Sequence, residues 1–177
     1  NPTIEVKTLF EKKRMKEEVI NKNLKDISVY ANVINNEEVK YIPSDFKGIG
    51  LYRTEFILMN EEYAFDYLKQ AAIYIEALEM MAGKPITFRT FDFGGDKQVE
   101  YLPHLKKGIE NYYVYRKLFE NQIKALLLAS KKYPNQVRIM FPMIETFKQY
   151  QELKKAVVKL AKEEGIKVPS IGMMLET

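Results

Sequence analysis

The chain has 177 residues, 46% hydrophobic and 29% charged, with 28 Lys and Arg against 24 Asp and Glu for a net charge of +4. That length and mixture support one buried core and exclude intrinsic disorder or a fibrous repeat. The small, interleaved positive excess suits a solvated surface or a small anionic ligand better than a nucleic-acid groove. With no Cys and one His, His104, a disulfide framework, a thiolate metal site and a multi-histidine zinc centre are excluded.

In chain order, residues 4–22 are densely charged, with sparse apolar positions at Ile4, Leu9, Phe10, Met15 and Val19. A helix with so narrow a stripe buries little and bridges domains, so residues 1–24 are predicted to be a linker helix. The start carries no basic region followed by an apolar one, so no signal peptide is expected. Nor does any apolar run approach the roughly 18 residues of a membrane span. Residues 27–33 are predicted as a first strand, and Asn35-Asn36-Glu37-Glu38 as a helix N-cap with acidic residues in the first turn. Residues 49–56 give a second strand. Asn60 is predicted to cap a helix with Leu68, Ala72, Ile75, Leu78 and Met81 on its buried stripe, closing at Gly83. Residues 85–93 are a third strand, followed by a loop to about Gly108. A helix over 110–130 places Tyr112, Tyr115, Phe119, Ile123 and Leu126 on one face. Residues 136–144 are a fourth strand. Thr146 and Gln149 form a capping box whose helix runs to Gly165, and residues 169–176 are a fifth strand.

Alternating strands and helices mean an α/β fold with parallel strands and crossover helices. Near-continuous apolar runs suit strands covered on both faces. An eight-fold (β/α)₈ barrel uses roughly 31 residues per unit, so residues 27–177 hold about five units. The sheet is either an open doubly wound one or part of a barrel. The close on a strand, one residue after a carboxylate, is expected of a piece of a longer chain.

Polar groups interrupt the strands near their C-terminal ends, where α/β proteins place their sites: Arg53 with Glu55, Arg89 with Asp92, and Glu176. Two readings of the arginines stand. One is an internal ion pair of Arg53 with Glu55 or Asp92. The other is two guanidinium forks aimed at one polyanion. Gly94-Gly95-Asp96-Lys97 is either a tight turn or a loop that brings backbone N–H groups and Lys97 to a phosphate. Glu176 alone is a poor hard-cation site. His104 reads as a loop residue, the cluster Met140, Met143, Met173 and Met174 as packing, and Tyr112, Tyr113 and Tyr115 mostly as packing. Lys131-Lys132 and Lys154-Lys155 read as solvated helix ends.

These motifs resemble a family. Gly48-Ile49-Gly50-Leu51-Tyr52-Arg53-Thr54-Glu55-Phe56 and Phe88-Arg89-Thr90-Phe91-Asp92-Phe93-Gly94-Gly95-Asp96-Lys97 are similar to the first and second phosphoenolpyruvate-binding motifs of the phosphoenolpyruvate-protein phosphotransferases, enzyme I of the sugar phosphotransferase system. Arg138-Ile139-Met140-Phe141-Pro142-Met143 resembles the family's fourth barrel strand, and Gly172-Met173-Met174-Leu175-Glu176-Thr177 its metal-binding strand. Asn1-Pro2-Thr3 and the charged helix resemble the join between its phosphohistidine domain and its barrel. The resemblance departs at Lys107–Arg116. There the family's Asn-Pro and Gly-x-Arg-x-x-Arg stretch is replaced by Lys107-Gly108-Ile109-Glu110-Asn111-Tyr112-Tyr113-Val114-Tyr115-Arg116.

The resemblance implies the first five βα units of a (β/α)₈ TIM barrel over residues 25–177, incomplete here. It implies a cytoplasmic, homodimeric parent enzyme that binds phosphoenolpyruvate and Mg²⁺. The phosphoryl group would pass to a histidine on a separate domain and on to a histidine-containing phosphocarrier protein for sugar uptake. Carried over by motif, Arg53, Arg89 and Lys97 bind phosphoenolpyruvate and Glu176 binds Mg²⁺. No catalytic residue falls within the chain, and alone it is expected to be inactive. The departure at Lys107–Arg116 supports an alternative, a non-catalytic module of a diverged paralogue that senses phosphoenolpyruvate or serves as an interaction module. No nucleic acid or membrane partner is expected.

Overall fold

The structure, a computed structural model, describes residues 27–94, 99–106 and 108–176. The predicted linker helix at 1–24 lies outside them. Five strands form one parallel sheet in the order β1 (Ala31–Val33), β2 (Ile49–Arg53), β3 (Ile86–Arg89), β4 (Val137–Phe141) and β5 (Ser170–Met173). Each strand lies beside its sequence neighbours. A doubly wound sheet reverses its order at a switch point, and this sheet does not. Parallel neighbours joined by right-handed crossovers carry their helices on one face.

The strands are shorter than their apolar runs. The run 49–56 leaves the sheet at Arg53, because Thr54 adopts a helical conformation and Glu55 opens the short helix α2 (Glu55–Leu58), α1 being Asn36–Val39. The helix expected after Asn60 is two helices, α3 (Glu61–Ala64) and α4 (Tyr67–Met80). Asn60 caps the first, and the Asp66 carboxylate accepts from the Leu68 and Lys69 N–H groups to start the second. This restart rotates the buried face. Gln70, Ala71, Tyr74, Ala77 and Leu78 point inward; of the expected stripe Leu78 and Met81 are buried and Ile75 partly so, whereas Leu68 and Ala72 are exposed. The helix expected at 110–130 breaks at Tyr115 into α5 (Glu110–Val114) and α6 (Arg116–Lys132). The Thr146–Gln149 capping box forms as the sequence requires and opens α7 (Phe147–Glu163), with Gly165 just beyond its end at φ +64°.

Aromatic rings bind the helices to the sheet. Tyr74 of α4 meets Phe88 of β3 at a 5.0 Å centroid separation, and Phe88 meets Tyr52 of β2 at 5.3 Å. Phe119 of α6 and Tyr150 of α7 flank Phe141 of β4. Along β3 and β4 the helix-facing residues Ile86, Phe88, Val137, Ile139 and Phe141 are buried, while the alternate residues Thr87, Arg138 and Met140 keep solvent contact. Among the described residues, helices therefore cover one sheet face, not the two that the apolar runs suggested. No helix among them is long and apolar enough to cross a membrane.

Candidate functional site

Register places Arg53 and Arg89 as direct partners at the C-terminal ends of β2 and β3. Both reach one carboxylate oxygen. Arg89, almost fully buried, donates through Nη2 to Glu55 Oε1, and its Nη1 pairs with Asp92 Oδ2 at 3.1 Å. Arg53 Nε reaches the same Glu55 Oε1 at 3.3 Å, and its Cζ lies 5.0 Å from the centre of the Phe56 ring. Glu55 opens α2 directly after the helical turn at Thr54 and is fully buried. The ion-pair reading is thus what these side chains display. It does not oppose the second reading, since both forks converge on one point at the sheet's C-terminal edge. The four charges cancel, so a polyanion entering here needs either a further cation or the release of one arginine from Glu55. Arg53, with 31% of its side chain exposed and a long contact, is the easier to release. Arg89 is the anchored fork. Its Nε is buried with no hydrogen-bond partner among the described residues, a donor whose desolvation is otherwise unreturned.

Buried polar side chains behind the arginines hold the strand ends where the ladder has stopped. Thr54 Oγ1 donates to the Arg89 carbonyl at 2.6 Å. Gln122, fully buried on α6, donates through Nε2 to Thr54 Oγ1 at 2.7 Å and accepts from Phe91 N at 2.9 Å. Tyr112 OH donates to the Phe91 carbonyl at 2.9 Å and lies 2.7 Å from Thr90 Oγ1. Asn111 Nδ2 donates to the carbonyls of Phe93 and Lys106, both at 2.9 Å, and its Oδ1 accepts from Lys106 N at 2.7 Å. The loop after β3 is therefore tied together at its base. Burial pushes the Tyr112 hydroxyl far above the usual tyrosine range, so it stays protonated and able to donate.

Glu176 follows β5. Its Oε1 accepts from Met143 N at 2.7 Å, where Met143 turns the chain after β4 at φ +54°. Met174, two residues earlier, brings its sulfur 3.9 Å from Arg89 Nη1. The ends of β2, β3, β4 and β5 thus contribute to one edge, but Glu176 touches neither arginine in the contacts described. Among the described residues no three Asp, Glu, His or Cys side chains stand close enough to hold a metal. They do not by themselves make a Mg²⁺ site, and no step below runs through a metal. Lys97 lies outside the described residues. His104 is exposed, as expected of a loop residue.

The sequence does not single out Gln122 or Asn111, and it marks Tyr112 mostly as packing. Gln122 carried a signal: it is a polar residue one step before Ile123 and three after Phe119, on the buried face of a helix. Buried amides are retained where they have partners.

Residues 9–177 match the family model of the PEP-utilising enzymes, PEP-binding domain. The chain is 34% identical to a phosphoenolpyruvate-protein phosphotransferase of Priestia megaterium, over 93% of this chain and 31% of the relative. The same figures hold for a phosphoenolpyruvate-protein phosphotransferase of Bacillus subtilis strain 168. A multiphosphoryl transfer protein of Rhodobacter capsulatus is 35% identical over 85% of this chain and 19% of its own length. The chain spans less than a third of the length of these curated relatives.

Proposed function

The chain belongs to the PEP-utilising enzymes, through their PEP-binding domain, and from that premise we propose that it supplies half of a phosphoenolpyruvate site in a phosphotransferase. The observation that carries this reading is the convergence of Arg53 and Arg89 on one point at the sheet edge. Phosphoenolpyruvate carries a phosphate and a carboxylate close together, and arginine binds either through parallel N–H donors. Arg89 is the fixed anchor. Arg53 swings from Glu55 onto the ligand, and Lys97 adds a third positive charge. Holding both anionic ends fixes the phosphorus in line for attack. The bond from phosphorus to the enol oxygen breaks as a bond forms to a histidine nitrogen other than this chain's His104, and the enolate of pyruvate leaves and takes up a proton to become pyruvate. Positioning and charge stabilisation do most of the work in such transfers.

In this reading residues 25–177 are the first five βα units of a (β/α)₈ barrel, which supplies the missing sheet cover. Glu176 contributes one ligand to Mg²⁺, the other donors coming from residues outside those described. The parent is a cytoplasmic homodimer, and its phosphorylated histidine passes the group to a histidine-containing phosphocarrier protein for sugar uptake. The test is calorimetric titration of the natural full-length protein with phosphoenolpyruvate and Mg²⁺, followed by transfer from radiolabelled phosphoenolpyruvate with the phosphocarrier present. Binding and transfer are the expected results; no binding overturns the reading.

A second reading has its own observation. In the departing segment Lys107–Arg116, Asn111 and Tyr112 are spent on holding the loop and strand end. A module that binds phosphoenolpyruvate without transferring its phosphoryl group fits that use. Saturable binding with no label on any histidine would decide for it.

A further inference from the structure

We propose that Gln122 is a positioning residue. Its buried amide, reaching in from α6, holds the ends of β2 and β3 in the relation that lets Arg53 and Arg89 grip one ligand. This inference rests on the phosphoenolpyruvate reading above and adds a residue outside every motif that suggested it.

The argument starts from where its two hydrogen bonds land. Thr54, which takes the amide N–H at 2.7 Å, lies between Arg53 and Glu55. Phe91, whose N–H the amide oxygen accepts at 2.9 Å, lies between Arg89 and Asp92. One planar group thus grips the chain inside both pairs of charged residues. Thr54 closes the triangle by donating its own hydroxyl proton to the Arg89 carbonyl at 2.6 Å. At these positions the strands have left the ladder, since β2 ends at Arg53 and β3 at Arg89. The amide supplies the cross-strand tie that the ladder no longer does. Gln122 also lies 3.4 Å from the Tyr74 hydroxyl on α4, so the tie is itself braced by two helices. The amide is fully buried, and a network whose members are all satisfied rigidifies its surroundings.

A purely structural amide and a positioning one predict different ligand behaviour. A ligand that spans both arginines depends on their separation. One small enough for a single guanidinium does not. The experiment uses the natural full-length protein with Gln122→Met, which keeps the side-chain length and loses both hydrogen bonds, and Thr54→Val, which loses only the hydroxyl. Thr54→Ser is the conservative control. Dissociation constants are measured for phosphoenolpyruvate and for inorganic phosphate, each with Mg²⁺, alongside the thermal midpoint.

The expected result for Gln122→Met and Thr54→Val is phosphoenolpyruvate binding weakened about 5- to 30-fold. Phosphate affinity should change less than about twofold, and Thr54→Ser should bind as the unsubstituted protein does. Unchanged phosphoenolpyruvate affinity, or equal losses for both ligands, overturns the inference and leaves the functional reading intact. Should Gln122→Met fail to fold, Thr54→Val decides on the same criteria. Failure of the unsubstituted protein to bind phosphoenolpyruvate overturns both.

Discussion

Arg53 and Arg89 are in-register neighbours on parallel strands, and both point at Glu55 Oε1. Two like charges side by side in a mostly buried place require a counter-charge, and Glu55 provides it with no exposure of its own. Removing one partner of a buried pair leaves an uncompensated charge and costs about 3–5 kcal/mol. Asp92 still faces Arg89, so Glu55→Gln should fall at the low end, near 3 kcal/mol. Urea denaturation at neutral pH checks this, with an unchanged m-value expected. A loss under 1 kcal/mol would mean that the carboxylate is not the keystone of the cluster.

The two arginines should respond differently to lysine. Arg89 uses two separate nitrogens on two carboxylates, a geometry that one ammonium cannot copy. Arg89→Lys should therefore lower both stability and phosphoenolpyruvate affinity, the latter about 10- to 150-fold. Arg53→Lys, at a partly exposed position, should leave stability within about 0.5 kcal/mol and weaken binding alone. Calorimetry and denaturation on the same two variants separate these outcomes. Equal effects would remove the distinction between anchor and swinging fork.

Stability should fall in alkali on account of buried phenols. Burial raises the hydroxyls of Tyr52, Tyr74, Tyr101 and Tyr112 well above the usual range. Tyr113, a half-exposed ring, is pushed up to about 12 by partial desolvation, with its hydrogen bond to Glu152 adding to the shift. From about pH 10 the unfolded chain gives up these protons while the folded chain keeps them. Stability on this account is flat below pH 10 and declines above it. Absorbance at the phenolate band should titrate in two stages, the second coinciding with loss of helical circular dichroism. A single stage near pH 10 with the fold intact would contradict the burial of these rings.

Much of this was legible in the sequence. The Thr146–Gln149 box is legible because caps are local chemistry, and the stretch 35–38 likewise marks a helix start, which falls at Asn35. The strands were located because β-rich runs recur between helices, and Arg53 with Arg89 stood out as charges inside apolar runs. What escaped depends on three-dimensional partners. The exit at Thr54 is stabilised by a carbonyl 35 residues away, so IGLYRTEF looks like strand to its end. The restart at Asp66 leaves Leu68 and Ala72 outside while Leu78 and Met81 stay in the core, because the face an amphipathic helix buries follows from where the helix begins. Gln122 is polar by composition and core by position, and only its partners just beyond the ends of two strands, Thr54 and Phe91, explain it.

The loop after β3 offers the last test. Gly94 sits at φ +125°, and a Cβ there would come within 2.8 Å of the Lys106 carbonyl oxygen. Gly94→Ala therefore meets both backbone strain and a fixed backbone atom. Asn111, almost fully buried, holds Phe93 and Lys106 with three hydrogen bonds. Its truncation leaves those backbone groups without the amide while vacating little volume. Each unmet buried group costs about 1–3 kcal/mol, partly recovered where water enters. Asn111→Ala should then destabilise by about 2 kcal/mol, and Gly94→Ala by about 1–3 kcal/mol. Both losses should appear locally as well, as faster proteolysis within residues 94–106 at denaturant concentrations where the sheet is still folded. The double variant should lose less than the two single losses added, because both act on the closure between Phe93–Gly94 and Lys106. Full additivity would show that Gly94 and Asn111 support separate structures, and the loop base would then not be one latch.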